Sequence, residues 1–514
     1  MPVKKNTTKT TYHHIVIGAG AAGCVIARRL IDAGRRVLLI EAGPFKKHQA
    51  NVDAVGGFTN LWGSDLDWKL STTPQPNLGN RIITINQGRL VGGSSAINAM
   101  MYVRCHQGDY ALLAKKGGKA WNRHRIMAAT ARLENYHDGP SEGRFSSGLM
   151  SVRNCPDVKA YSRPFQNAAA ELGYSSNDWD YNGLEQAGGA GPLQFNIDLE
   201  GRRHSAYKAY LEPILHSPLL TILPGHMVDR LSLAGHGAVN GVITRSIDGL
   251  EETITSQADV ILCAGALLSP QILMRSGIGP AEDIKNSGRN VVCDLPAVGQ
   301  NLMDHLQLPV IVRLKKPLPE PEILTGNVIF LNVNNNSPYG APDLQINYTP
   351  ASPQPLQQYL PSFGGPVMIF LPVLIQPRSV GHMRIQSDST FAIDPGYLSD
   401  NSDIQVFHKA LAVVRSFLST TALADLAGEE LAPGTMDDDA YIRAGVSTLW
   451  HPVGTCSIGQ DRETSVVDAH LRIHGLRGAR VADASVTPYA TAGNNHVPTM
   501  ILAENAASLI LEGQ

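Results

Sequence analysis

The stretch HHIVIGAGAAGCVIARRLIDAGRRVLLIEAG, residues 13–43, leaves few folds open. The β-branched run His14-Ile15-Val16-Ile17 predicts a buried strand. Gly18, Gly20 and Gly23 follow at G-x-G-x-x-G spacing, then Cys24 to Ala33 carry helical spacing that Gly34 ends. Arg36 to Glu41 predict a second strand with an acid at its end. Gly18 permits a tight turn, Gly20 lets backbone approach a pyrophosphate, and Gly23 lets helix and strand pack closely. Ala21 and Ala22 open a helix whose free N–H groups and positive end suit phosphate. Glu41, with Ala42 beside it, is placed to accept from both ribose hydroxyls of an adenosine and to disfavour a 2′-phosphate. The motif alone is weak. Its strand–turn–helix–strand–acid order marks a dinucleotide unit, with NAD and FAD both left open.

A chain of 514 residues exceeds what one compact core normally supports, so two domains or one large composite are expected. Net charge is −2 with only 17% charged residues, which gives no basis for a nucleic-acid or anionic-membrane partner. The longest apolar run, PVMIFLPVLI at 366–375, is about half a membrane span and holds two prolines, so it predicts a buried strand pair or a bend and no membrane span. The polar N-terminus MPVKKNTTKTTY has no apolar core behind it and is not expected to act as a secretory signal. Six scattered cysteines without C-x-x-C predict reduced thiols and a cytoplasmic protein. No His/Asp/Glu group has metal-ligand spacing, and no metal is expected.

Two later stretches bring backbone near a flat ligand. In GRLVGGSSAINAMMYVRCHQGDY (88–110), Gly92, Gly93, Ser94 and Ser95 carry little bulk, Asn98 adds a donor and an acceptor, and the apolar run that follows is compatible with a helix. In GALLSPQILMRSGIG (265–279), the leading Ala264-Gly265 follows the strand-like DVILCAGA. On these stretches the sequence resembles the glucose-methanol-choline (GMC) oxidoreductases, a family of FAD enzymes, over nearly the whole chain. The resemblance implies an α/β Rossmann-type FAD-binding domain with a second α+β substrate domain built on an antiparallel sheet. The FAD domain is expected to comprise 1–155, 200–305 and 458–514, and the substrate domain 156–199 and 306–457. Residues 306–446 alternate apolar and polar positions as such a sheet would, covered by helices such as 402–419. Beyond Gly18 to Gly23, Glu41 and Ala42, the resemblance places Arg89, Gly92, Gly93, Ser94, Asn98, Ala99 and Met100 along FAD. It adds Val228 at the adenine, Ala264 and Gly265, Asp483 and Ala484 near the pyrophosphate and ribityl chain, and His496, Val497, Pro498 and Thr499 at the flavin. Some members attach FAD through a histidine where this chain has Ile97, so FAD is expected to be held without a covalent bond. Cys105 stands where the family usually has glycine.

STLWHPVGTC (447–456) carries His451, and TAGNNHVPTMILAENAA (491–507) carries His496 at the start of a helix. Asn494 or Asn495 suits that helix as a cap and Pro498 suits its first position, but capping gives no reason for His496. Alcohol oxidation needs an acceptor for the hydroxyl proton, a path for hydride to flavin N5, and a positive helix end at the N1–C2=O edge of the flavin. The resemblance makes His451 the base and His496 its partner, with Trp450 a wall of the pocket and Leu449 close by. His13, His14, His106, His204, His226 and His470 read as structural. APDLQ (341–345) and PRSVGHMRI (377–385) resemble bacterial alcohol-oxidising members and point to a primary alcohol, with aromatic and pyridoxine-like ones among the candidates. The electron acceptor, O2 or another, and the oligomeric state stay open. The rival reading is a hydroxynitrile lyase that binds FAD on this fold without redox turnover.

Overall fold

Strands buried on both faces need cover on both faces, and the chain supplies it from segments far apart in sequence. The computed structural model describes residues 11–45, 50–155, 159–175, 179–235, 237–318, 323, 326–334, 338–349 and 363–513. β1 (His14–Ile17), α1 (Ala21–Asp32) and β2 (Val37–Glu41) form the expected βαβ unit, and every residue of both strands is buried. A five-stranded parallel sheet runs in the spatial order Ala479–Val481, Val260–Leu262, β1, β2, Leu220–Pro224. Its strand ends at Ile17, Glu41 and Leu262 lie together, and the turns that leave them build one wall of a deep cavity. The fold class read from the sequence is the one observed.

The final helix, His496–Glu512, is buried almost all round and packs on α1 and on the helix Arg123–Leu133. An apolar helix of that kind belongs inside a core. Its buried acid is Glu504, which takes Arg29 at 2.7 Å, Arg132 at 3.0 Å and the Tyr210 hydroxyl at 2.8 Å. These bonds tie three helices at the back of the site. Glu504→Leu is expected to lower stability by about 3 kcal/mol, because it strands two guanidinium groups that reach solvent only in part. Chemical denaturation of the purified protein measures it, and a midpoint equal to the parent's would refute the tie.

A second sheet is antiparallel, in the order Ala427–Ala432, Val310–Leu314, Val367–Leu374, Leu344–Thr349, Asn327–Leu331, Gly189–Pro192, and Leu306–Gln307 and Ser447–Thr448 extend it. The helix Asn401–Leu418 lies against it through Phe407, Leu411 and Val414.

Two sequence expectations fail here. The run 366–375 is neither a strand pair nor a bend: Val367–Leu374 is one continuous strand. Its partner changes from Val310–Arg313 to Leu306–Gln307 beside Pro372, and that break is where a strand tolerates a residue without an N–H. The apolar run after Ser95 is not a helix either. A short 3-10 turn ends at Ala96, Met100 takes a left-handed backbone (φ 60°), and no α-helix begins until Gln107. Residues 97–101 line the cavity, so their backbone follows its wall. All six cysteines are unpaired. Among the described residues no helix is long and apolar enough to cross a membrane, and no group of three or more metal-ligating side chains occurs.

Candidate active site

The cavity measures about 640 Å³ and runs from β2 to the start of the final helix. Its floor is the first glycine turn. A Cβ on Gly23 would lie 1.9 Å from the Gly18 carbonyl oxygen, so α1 sits on the end of β1 as closely as backbone allows. Gly93 comes as close to the same turn from the other side: its Cβ would stand 2.6 Å from the Gly20 Cα. The Gly92 N–H donates to the Ala19 carbonyl at 2.8 Å and locks the two glycine turns together. The two turns together present a backbone-lined slot to the cavity, the kind of surface a pyrophosphate takes.

At the end of β2, Glu41 accepts the Ala19 N–H at 2.9 Å and the Gly43 N–H at 2.8 Å. Burial lifts its carboxyl to about 7, against the pull of those N–H groups and of Arg89. Each oxygen keeps a lone pair for a sugar hydroxyl. Asp483 differs from the expectation in how it acts. Its carboxylate takes the Gly265 N–H (2.9 Å), the Ser269 hydroxyl (2.6 Å) and both the N–H and hydroxyl of Ser485 (2.8 and 2.6 Å). It therefore holds the 264–269 turn against the 483–486 turn. The glycine slot, the acid at β2 and the length of the cavity fit FAD.

Most of the residues assigned to FAD line this cavity: Gly18, Gly20, Ala21, Ala22, Glu41, Ala42, Gly93, Ser94, Asn98, Ala99, Met100, Val228, Ala264, Gly265, Asp483, Ala484, His496 and Thr499. Gly23, Arg89, Gly92, Val497 and Pro498 lie outside the lining. Gly23 and Gly92 shape the turns, and the Arg89 guanidinium stacks 5.2 Å from the Trp68 ring, beside Glu41. Ile97 lines the wall at the position discussed above.

The far end of the cavity holds both histidines singled out from the sequence, His451 and His496. His451 presents Nε2 to Asn494 Nδ2 at 3.5 Å, and its backbone N–H donates to Asp304 at 2.8 Å. Burial, with smaller effects from His305 and His496, holds its imidazole well below the ordinary value, so it is neutral at pH 7. His496 opens the final helix and lines the same cavity, and burial with the nearby Arg203 cation lowers it to about 4. Trp450 adopts a left-handed backbone (φ 62°) beside His451, with its ring 4.5 Å from Trp62 and its Nε1–H on the Thr84 carbonyl. Such strain gathers where a side chain must be aimed. Leu449 lines the wall next to it.

The helix start departs from expectation. Asn495 is the cap residue, yet neither its side chain nor that of Asn494 caps the helix, and Pro498 is third in the helix, not first. The Asn495 carbonyl takes the Thr499 N–H and hydroxyl instead. The N–H groups of His496 and Val497 thus take no side-chain cap, and His496 itself lines the cavity. Cys105 also sits in the left-handed region (φ 66°), a conformation that glycine adopts without the cost a side chain brings.

Sequence reasoning passed over three residues. Asp304 and His305 lie directly behind His451, and the buried Arg203 donates to Asn98 Oδ1 at 2.8 Å. The Asp-His pair closing GQNLMDH was the available signal for the first two, while nothing local marks Arg203. His226, read as structural, lines the Glu41 end of the cavity.

Comparison with known proteins agrees with this geometry. Two family models described as GMC oxidoreductase match residues 12–307 and 377–503. The chain is 32% identical to an alcohol dehydrogenase [acceptor] of Pseudomonas putida, over 97% of this chain and 96% of that protein. It is also 32% identical to the mitochondrial choline dehydrogenase of Mus musculus, over 98% of this chain and 90% of that one. Among solved structures, pyridoxine 4-oxidase from Mesorbium loti superposes with a TM-score of 0.88 at 31% identity, covering 97% of this chain and 99% of that one.

Proposed function

The chain belongs to the GMC oxidoreductases, enzymes acting on alcohol CH–OH groups, and from that premise we propose that it oxidises an uncharged primary alcohol to the aldehyde with non-covalently held FAD. The observation that carries the reading is His451: a half-buried, neutral imidazole whose Nε2 faces the cavity beside the start of the final helix. FAD supplies the hydride acceptor, and O2 or another oxidant regenerates it. The protein's residues do the rest. His451 Nε2 takes the hydroxyl proton. His496 and Asn494 hold the oxygen as it gains charge, and the uncapped N–H groups of the final helix stabilise negative charge at the cofactor.

The wall facing His451 bears on substrate class. The acids that line the cavity, Glu41 and Asp483, both stand at its dinucleotide end. Beside His451 the described wall offers Gln307, Asn347 and Thr349 among Ile369 and Leu371. Amides and hydrocarbon suit a heteroaromatic alcohol of the pyridoxine kind, whereas a quaternary ammonium would be buried there without a counter-charge. The test is an anaerobic visible spectrum of the purified protein mixed in turn with pyridoxine, benzyl alcohol, ethanol and choline. Bleaching of the flavin bands by an aromatic alcohol and not by choline is expected. Bleaching by choline would overturn the substrate class, and a spectrum that stays yellow throughout would overturn the oxidation.

The pH dependence follows from the same imidazole. His451 acts when neutral, so activity is present above its pKa and lost as pH falls through it. Burial, with smaller effects from His305 and His496, places that pKa well below 6.5. The rate of anaerobic flavin reduction is therefore expected to stay flat from about pH 8 down past the ordinary histidine value and to fall only in stronger acid. An acid limb centred at or above 6.5 would contradict the burial argument.

A further inference from the structure

Behind the proposed base stands a second histidine that the reaction as described does not use. His305 is 1% exposed, and its Nδ1 lies 3.0 Å from His451 Nδ1, the two rings perpendicular. The dipeptide Asp304-His305 also grips the base from behind. Asp304 takes the His451 N–H and the hydroxyls of Thr448 and Tyr397, and the His305 carbonyl takes the Leu449 N–H at 2.8 Å. This set fixes the backbone of His451 against that of Asp304-His305.

Two ring nitrogens at 3.0 Å share one hydrogen, so one donates and the other accepts. If the hydrogen belongs to His305, His451 must carry its own proton on Nε2 and can take nothing from an alcohol. If it belongs to His451 Nδ1, Nε2 is a bare lone pair facing the cavity. Two observations choose between them. Asn494 is oriented by Gln345, whose Nε2 donates to Asn494 Oδ1 at 3.5 Å, and this turns the Asn494 Nδ2 donor toward His451 Nε2. His305 Nε2 is buried and makes no hydrogen bond of its own among the described residues, and the backbone groups that act on this ring, the carbonyls of Ile375 and Thr491, can accept a proton there and cannot donate one, so the proton of His305 belongs on its far nitrogen.

We infer that His305 is a positioning residue that accepts the Nδ1–H of His451 and thereby fixes the tautomer in which Nε2 is the base. The step balances simply. The alcohol O–H breaks, its proton forms a new N–H at His451 Nε2, and the Nδ1 hydrogen between the rings then shares the positive charge with His305. A neutral imidazole does here what a carboxylate does behind a catalytic histidine elsewhere. The inference rests on His451 as base.

Nitrogen-15 NMR of histidine-labelled holoenzyme reads the tautomer directly, with His451 assigned by its absence from His451→Asn. A protonated Nδ1 and an unprotonated Nε2 are expected, and the reverse would overturn the inference. In His305→Leu the hydrogen should move to Nε2. Anaerobic flavin reduction should then slow about 100-fold with the dissociation constant for alcohol within about twofold of the parent's. His305→Asn offers an oxygen near the lost nitrogen and should recover most of that rate. Leu and Asn variants slowed equally would make His305 merely structural, and a Leu variant at the parent rate would remove its role while leaving His451 in place. A His451→Ala variant at the parent rate would instead sink the base assignment itself.

Discussion

His451→Ala is expected to purify yellow and to reduce its flavin with alcohol about 10³-fold more slowly than the parent, as loss of a positioned general base does. The two halves of that result have separate causes. Retention of the cofactor depends on the glycine turns, Glu41 and the 264–269 turn held by Asp483, none of which leans on the His451 side chain. The rate depends on a lone pair at Nε2, which alanine removes and which the surrounding structure does not replace, since the next candidate, His496, is itself held low by burial and Arg203. His496→Asn keeps a hydrogen-bond donor at the same helix start and should slow reduction much less. Stopped-flow reduction under nitrogen measures both. If His496→Asn abolished reduction and His451→Ala did not, the roles of the two histidines would be exchanged.

The parts legible in the sequence were those whose cause is local. Gly18 to Glu41 spell strand, turn, helix, strand and acid within one short segment, because each step is fixed by its own neighbours. The antiparallel sheet was visible in alternating residues for a similar reason. His451 and His496 could be singled out through resemblance, since nothing in their local spacing distinguishes them from other histidines. The residues that escaped owe their importance to contacts across the chain. His305 meets His451 across 146 positions, and Glu504 meets Arg29 across 475. Arg203 reaches Asn98 from 105 positions away. The apolar run at 97–101 misled because helix propensity is a weak prior, easily overridden when backbone must follow a cavity wall. Pro372 misled in the opposite sense: a proline that should interrupt a strand lies where the neighbouring strand is itself interrupted.

Gly23→Ala is expected to yield little folded protein and no bound FAD, while Gly34→Ala yields a yellow enzyme of nearly parental stability. Gly23 lies in the first turn of α1 and Gly34 just past its end. At Gly23 the new methyl carbon would sit 1.9 Å from the Gly18 carbonyl oxygen and 3.1 Å from its carbon, both backbone atoms. Relief requires α1 to lift off β1. That motion reaches the site twice over, because α1 forms one side of the phosphate slot and also supports the final helix that carries His496. A cost above about 4 kcal/mol follows for an overpacked backbone contact of this kind. At Gly34 the backbone is left-handed (φ 76°) but nothing lies within 4 Å of an added carbon. Its cost is then conformational alone, about 1 kcal/mol. Soluble yield, thermal melts and the flavin-to-protein absorbance ratio of the two variants separate close approach from left-handed geometry. Two variants that melt together would mean that the strand–helix contact gives way more easily than its distances imply.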